Sequence, residues 1–125
     1  AAVDHPDHEV LEMNWQVLEG ACDQCGHDLN LLELPAPDPI FYEFPEMAGS
    51  GDPVAAGRKR LPASYANFLF ANEGVLVPTF GQAVDDVALR VLERALPEHH
   101  IAPVRSEHLI VGLGAIHCLS TQQPA

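Results

Sequence analysis

The sequence predicts a mixed α/β fold built from strand-strand-helix-strand units, and three observations carry that expectation. Two β-rich runs, Ser64 to Asn72 and Val75 to Phe80, are joined at Asn72-Glu73-Gly74, a sequence suited to a hairpin turn. A 3.6-residue apolar stripe follows, and Ile101 to Val104 then returns to an extended pattern. Upstream, a helix-like segment runs into another extended stretch, the order expected at the back half of a similar unit.

Each element has its own signal. From Asp7 to Cys25, the residues Leu11, Trp15, Leu18, Cys22 and Cys25 recur at steps of four and three, which places them on one helical face with Gly26 as the stop. Asp28 to Leu34 alternates and ends apolar, as a strand would. Between Pro35 and Pro62 lie six prolines and three glycines, the composition of a long loop, with Ile40 to Phe44 as a brief strand inside it. Val84, Val87, Ala88, Val91, Leu92 and Ala95 form the stripe of the second helix, with Asp85 and Asp86 in its first turn and Pro97 beyond its end. Leu109 to Val111, a glycine-rich bend and Ala115 to Leu119 complete the chain. Three segments result: the end of one unit over 1–35, the Pro/Gly-rich loop over 36–62, and a ββαβ unit over 63–125.

Composition narrows the function. A chain of 125 residues, 47% hydrophobic, is one domain or one large piece of a bigger one. No apolar run approaches the roughly 18 to 20 residues of a membrane-spanning helix. A net charge of −12 speaks against holding nucleic-acid phosphates, and the only basic run, Arg58-Lys59-Arg60, reads as a solvated stretch of the loop. Three cysteines are too few, and odd in number, for a secreted disulfide scaffold, so a reducing cytoplasm is expected. The start at Ala1-Ala2-Val3 has neither an initiator Met nor a signal-peptide pattern and reads as a chain entered partway.

Four clusters have the residue types for chemistry. Cys22-Asp23-Gln24-Cys25 with His27 invites a zinc or redox reading, but no second pair supplies four ligands, and the cysteines lie on the apolar stripe at a helix end. They are therefore expected to be buried and structural. His99-His100 reads as a solvated turn, since adjacent side chains diverge. Gly112-Leu113-Gly114 fails as a dinucleotide loop, because only 11 residues follow it. Cys118, after a glycine bend and beside His117, Ser120 and Thr121, has the setting of a nucleophile, although a buried inert thiol fits the same pattern. Nothing here calls for a metal or a cofactor.

Four motifs read together resemble the C-terminal part of agmatine deiminases and of the bacterial peptidyl-arginine deiminases related to them. They are Leu61-Pro62-Ala63-Ser64-Tyr65-Ala66-Asn67-Phe68, Asn72-Glu73-Gly74-Val75-Leu76-Val77-Pro78-Thr79-Phe80-Gly81, Gly112-Leu113-Gly114-Ala115-Ile116-His117-Cys118 and Gln122-Gln123-Pro124. The resemblance implies the pentein fold, five ββαβ modules around a central pocket. Ser64 to Ser120 would then be the last module plus the strand returning to the centre, and Asp7 to Pro35 the end of the module before it. It implies that Cys118 is the nucleophile and that Asn67 lies beside the substrate. The family usually carries Asn near this motif where the chain has Ala115, which leaves the guanidino substrate open.

The implied reaction is hydrolysis of agmatine to N-carbamoylputrescine and ammonia through a covalent cysteine thiouronium. Peptidyl-arginine is the alternative substrate, and a non-catalytic binding or assembly domain the alternative role. The implied partner is a small guanidino compound, with no nucleic acid or membrane and with a homo-oligomer left open. The family's catalytic His and its acidic partner lie in a Gly-His-x-Asp motif well upstream of the cysteine. Gly26-His27-Asp28 is one residue too short and sits on the wrong element, so the chain is expected to be an inactive fragment of a longer deiminase.

Overall fold

The computed structural model describes residues 5–45 and 57–121 of the chain; Gln122-Gln123-Pro124 lies outside them. The elements run α1 (His8–Glu19), β1 (Phe41–Phe44), β2 (Gly57–Arg60), β3 (Leu69–Ala71), β4 (Gly74–Thr79), α2 (Asp85–Ala95), β5 (His100–Arg105) and a 3-10 turn at Leu109–Gly112.

The centre is the expected ββαβ unit. β3 and β4 form an antiparallel hairpin, with Leu69 opposite Leu76 and Ala71 opposite Gly74. Asn72 takes a φ of 55° in its turn, a left-handed conformation that asparagine tolerates better than most residues. β5 then lies parallel to β4, from Gly74 opposite His100 to Thr79 opposite Arg105, with α2 as the crossover. β4 is therefore the middle strand of three. It is covered from Val75 to Phe80 apart from Leu76, which accounts for its nearly continuous apolar sequence. Pro78 lies past Leu76, where pairing with β3 ends, so its missing N–H removes nothing from the hairpin.

Two apolar clusters hold this unit. Val75, Val77, Leu92 and Ile101 pack between sheet and helix, with Leu34 and Phe68 against them. Leu61, Tyr65, Phe80, Ala88, Ile110 and Ala115 form the second, with Ile40 and Phe44 alongside. On α2 the buried side chains are Asp85, Ala88 and Leu92, whereas Val87 is 42% exposed. The apolar stripe is thus rotated from the one read in sequence, because a buried carboxylate occupies part of it.

Several expectations are corrected. The first helix ends at Glu19, with Gly20 after it, and does not reach Cys25. Asp23 is the reason: one of its carboxylate oxygens accepts the backbone N–H groups of Cys25 (2.8 Å) and His27 (2.9 Å), offering this stretch a turn in place of a helix. Asp28 to Leu34 forms no ladder; Asp28 makes a single bridge to Cys22, and the rest is extended without a strand partner among the described residues. The run expected over Ser64 to Asn72 is a strand only from Leu69. Its first part turns, with the Asn67 N–H bonded to the Ser64 carbonyl at 3.3 Å and the Ala66 N–H to the Ser64 hydroxyl at 3.2 Å.

The Pro/Gly-rich segment contains a two-stranded ribbon, β1 paired antiparallel with β2 from Phe41–Arg60 to Phe44–Gly57. Arg58-Lys59-Arg60 therefore lies in a strand and not in a loop, with Arg58 and Arg60 still exposed. The Arg58 guanidinium lies 4.5 Å from the centre of the Phe41 ring, and Arg60 grips Asp7 with both terminal nitrogens. The terminal region holds a 3-10 turn and hydrogen-bonded turns through Ala115 to Ser120, so no strand returns there among the described residues. His99 is half-buried against Phe70, and His100 opens β5, so neither is a simple solvated turn.

Candidate active site

Two segments distant in sequence meet at Cys118. The first is the turn before β3, which brings Asn67 to the surface. Buried Tyr65 anchors it: the phenol donates to Asp85 Oδ1 at 2.6 Å, and Asp85 also accepts the N–H groups of Phe80 (3.1 Å) and Gln82 (3.0 Å). Burial, with the Asp85 carboxylate second, pushes the Tyr65 hydroxyl well above the usual tyrosine range. It therefore stays protonated and remains a donor.

The second segment is Gly114 to Ser120. Ala115 is fully buried in the core and fixes its start. From there the chain winds outward, with Leu119 N–H bonded to the Ala115 carbonyl at 3.1 Å and the Ser120 hydroxyl to the His117 carbonyl at 2.7 Å. Ile110 and Ala115 are internal; His117 and Cys118 are exposed. A side chain at Gly114 would meet Cys118, since a Cβ there would lie 2.6 Å from Cys118 Cβ and 3.4 Å from Sγ. Glycine is required by this close approach.

Between the two segments the contacts are reciprocal. Asn67 Nδ2 donates to Cys118 Sγ at 2.9 Å, and Asn67 Oδ1 accepts the Cys118 backbone N–H at 3.2 Å. The Asn67 carbonyl also accepts the His117 N–H at 3.3 Å. An open pocket of about 290 Å³ beside this pair is lined by Ser64, Ala66, Asn67 and His117. The structure thus unites both residues singled out in the sequence, Cys118 and Asn67, across 51 positions. No carboxylate lines the pocket among the described residues, so nothing here would hold a cation by charge.

The other thiols sit elsewhere. Cys22 and Cys25 are exposed, not buried, because α1 stops before them. Asp23, Cys25 and His27, from the stretch weighed in sequence as a zinc or redox motif, place one donor atom each within 4.8 Å of one another. All three are solvent-facing, and the Asp23 oxygens are already engaged by Cys25 and His27, so the grouping is a capped turn.

Comparison with known proteins places this geometry in a family. Residues 1–124 match the Porphyromonas-type peptidyl-arginine deiminase family. The chain belongs to that family. It is 35% identical over 125 residues to the agmatine deiminase of Pseudomonas fluorescens, covering 96% of this chain and 34% of that protein. The agmatine deiminase of Stutzerimonas stutzeri is 35% identical over 124 residues, with the same coverage. Among solved structures, the agmatine deiminase of Enterococcus faecalis superimposes with a TM-score of 0.84 at 27% identity, covering 98% of this chain and 34% of that one. The chain spans about a third of the length of the relatives it matches.

Proposed function

We propose that this chain is the nucleophile-bearing C-terminal part of a guanidine-hydrolysing deiminase, with agmatine as substrate and Cys118 as the attacking group. The observation that carries the reading is the exposed Cys118 thiol, bonded to Asn67, a residue that lines an open pocket, in a chain of this deiminase family. A guanidinium is resonance-stabilised, so its carbon requires a strong nucleophile, and a thiolate qualifies. Sulfur attacks the carbon and forms a tetrahedral adduct. The C–N bond then breaks as a general acid protonates the departing ammonia, leaving a thiouronium on Cys118. Water gives one proton to that same group, now acting as a base, and adds to the carbon; the C–S bond breaks, the second proton passes to solvent, and the neutral ureido product leaves with the thiolate restored.

The acid and the carboxylates that hold the cationic substrate come, in this reading, from the part of the protein that precedes these 125 residues. β3, β4, α2 and β5 form one ββαβ module of a five-module ring that closes around the pocket. The arrangement supports that reading through its parallel β4–β5 pair and helical crossover. Free thiols throughout suit a reducing cytoplasm. Among the described residues no helix is long and apolar enough to cross a membrane. The family is described by peptidyl-arginine, whereas the curated relatives above are agmatine deiminases, so free agmatine and a peptidyl-arginine substrate are to be compared directly.

The test uses the full-length protein containing this chain. Cys118→Ser should abolish ammonia release from agmatine, while Cys22→Ser and Cys25→Ser leave it near the starting rate. Activity surviving in Cys118→Ser refutes the assignment.

A further inference from the structure

We propose that Asp23, Cys25 and His27, on the turn that follows α1, form a surface site for one divalent cation of the zinc class. The inference does not depend on the reading of Cys118, since the three residues belong to neither segment that meets there.

The backbone builds the site from a short loop over 22–28. Cys22 and Asp28 close it through an antiparallel bridge. The Asp23 N–H donates to the His27 carbonyl at 2.9 Å, and the Gly26 N–H to the Asp23 carbonyl at 3.0 Å. Gly26 takes a φ of 83°, the left-handed conformation that lets the chain reverse over so few residues. Asp23 and His27 are thus cross-strand neighbours and share a face. Cys25, at the tip between them, brings its sulfur to the same place: a carboxylate oxygen, the sulfur and an imidazole nitrogen lie within 4.8 Å of one another. Cys22, the partner that a Cys-x-x-Cys chelate requires, is one position out of step and is not in this group.

The donor set selects the ion. Thiolate and imidazole suit zinc and its neighbours, whereas magnesium and calcium take oxygen ligands. A tetrahedral zinc with bonds of about 2.0–2.3 Å needs its ligand atoms roughly 3.3–3.8 Å apart. Three exposed side chains already within 4.8 Å reach that spacing by small rotations. Asp23 serves twice. Its Oδ1 accepts the backbone N–H groups of Cys25 and His27 at 2.8 and 2.9 Å, which fixes the carboxylate, while Oδ2 faces the His27 ring at 3.1 Å. On binding, the Cys25 thiol gives its proton to solvent, and the neutral imidazole offers one lone pair with its proton carried on the other nitrogen. Three protein ligands leave a fourth position to solvent.

Titration of the purified chain with Co²⁺, read through the thiolate-to-cobalt charge-transfer absorption, tests the inference. One equivalent should bind, and Zn²⁺ but not Mg²⁺ should displace it. Cys25→Ser, His27→Ala and Asp23→Asn should each weaken binding at least about tenfold. Asp23→Asn is the variant that keeps the loop, because its amide oxygen still accepts both backbone N–H groups. Cys22→Ser should bind as the unsubstituted chain does. A loss in Cys22→Ser equal to that in Cys25→Ser would mean a flexible Cys-x-x-Cys chelate in place of the folded group, and would overturn the proposal. Unchanged binding in Asp23→Asn, absence of the charge-transfer band, or displacement by Mg²⁺ as readily as by Zn²⁺ overturns it too. None of these outcomes bears on Cys118, whose assignment is read separately by ammonia release.

Discussion

Gly114 and Leu113 show how little room the site leaves at the level of single residues. An added methyl at Gly114 would fall 2.6 Å from Cys118 Cβ, an atom fixed to the backbone that cannot swing aside. Gly114→Ala must therefore displace the Cys118 segment and break its bonds to Asn67. The expected cost is about 1–3 kcal/mol of stability, read by urea denaturation. Leu113 is different, since it takes a φ of 66° while 57% exposed. A β-carbon is strained there and its side chain packs little, so Leu113→Gly should stabilise the chain by up to about 1 kcal/mol in the same measurement.

Among the elements, α2 and the Tyr65 turn are joined through the buried Asp85 carboxylate. Tyr65→Phe removes one donor while Phe80 and Gln82 still satisfy the carboxylate, at an expected cost of about 1–3 kcal/mol. Asp85→Ala strands the Tyr65 hydroxyl and two backbone N–H groups at once, so it should cost more than Tyr65→Phe. Thermal denaturation of the two variants side by side checks the order.

α1 is tied to the ribbon differently, by Asp7 gripped in the Arg60 guanidinium at the surface. The hydrogen bond from Arg60 holds the Asp7 carboxyl below its ordinary value of 3.8. A depressed carboxyl stabilises the fold above the unfolded value and loses that contribution as pH falls through the folded one. Protection of α1 amides from hydrogen exchange should therefore fall as pH drops below 3.8, and Asp7→Asn should reduce the size of that fall.

At the scale of the whole molecule, the apolar surface is larger than the chain can cover. α1 has no buried residue, and Val10, Met13 and Val17 are more than 60% exposed. Leu11, Trp15 and Leu18 face Leu31, Leu32 and Leu34 across an open groove of about 470 Å³. Apolar surface on this scale favours association, so the purified chain should run as a concentration-dependent oligomer in size-exclusion chromatography with light scattering. The chain alone should also release no measurable ammonia from agmatine, with a full-length relative as control. General acid–base assistance is worth about 10²- to 10⁴-fold. Among the described residues, the pocket beside Cys118 contains no carboxylate to hold the guanidinium. Turnover within about tenfold of the control would place the acid in this sequence, with His117 and His108 the first candidates.

The sequence by itself determined the ββαβ order, the hairpin at Asn72-Glu73-Gly74 and the extent of α2. These are local matters: periodicity, turn chemistry and contiguous motifs carry them. Tertiary structure decided the rest. α1 stops early because the Asp23 side chain bonds to backbone two and four residues on, a choice that a smooth apolar stripe through Cys22 and Cys25 conceals. Arg58 to Arg60 are strand residues because their backbone pairs with Phe41 to Glu43, far away in sequence, and the Phe41 ring and the Asp7 carboxylate then receive the two guanidinium groups. Asp85 looked like a helix-dipole acid but is buried, because Tyr65 and two backbone N–H groups converge on it from another segment. The site itself is the clearest case. Its two residues are legible one at a time, whereas the bonds that join them exist only once the core has brought Ala115 and Tyr65 together.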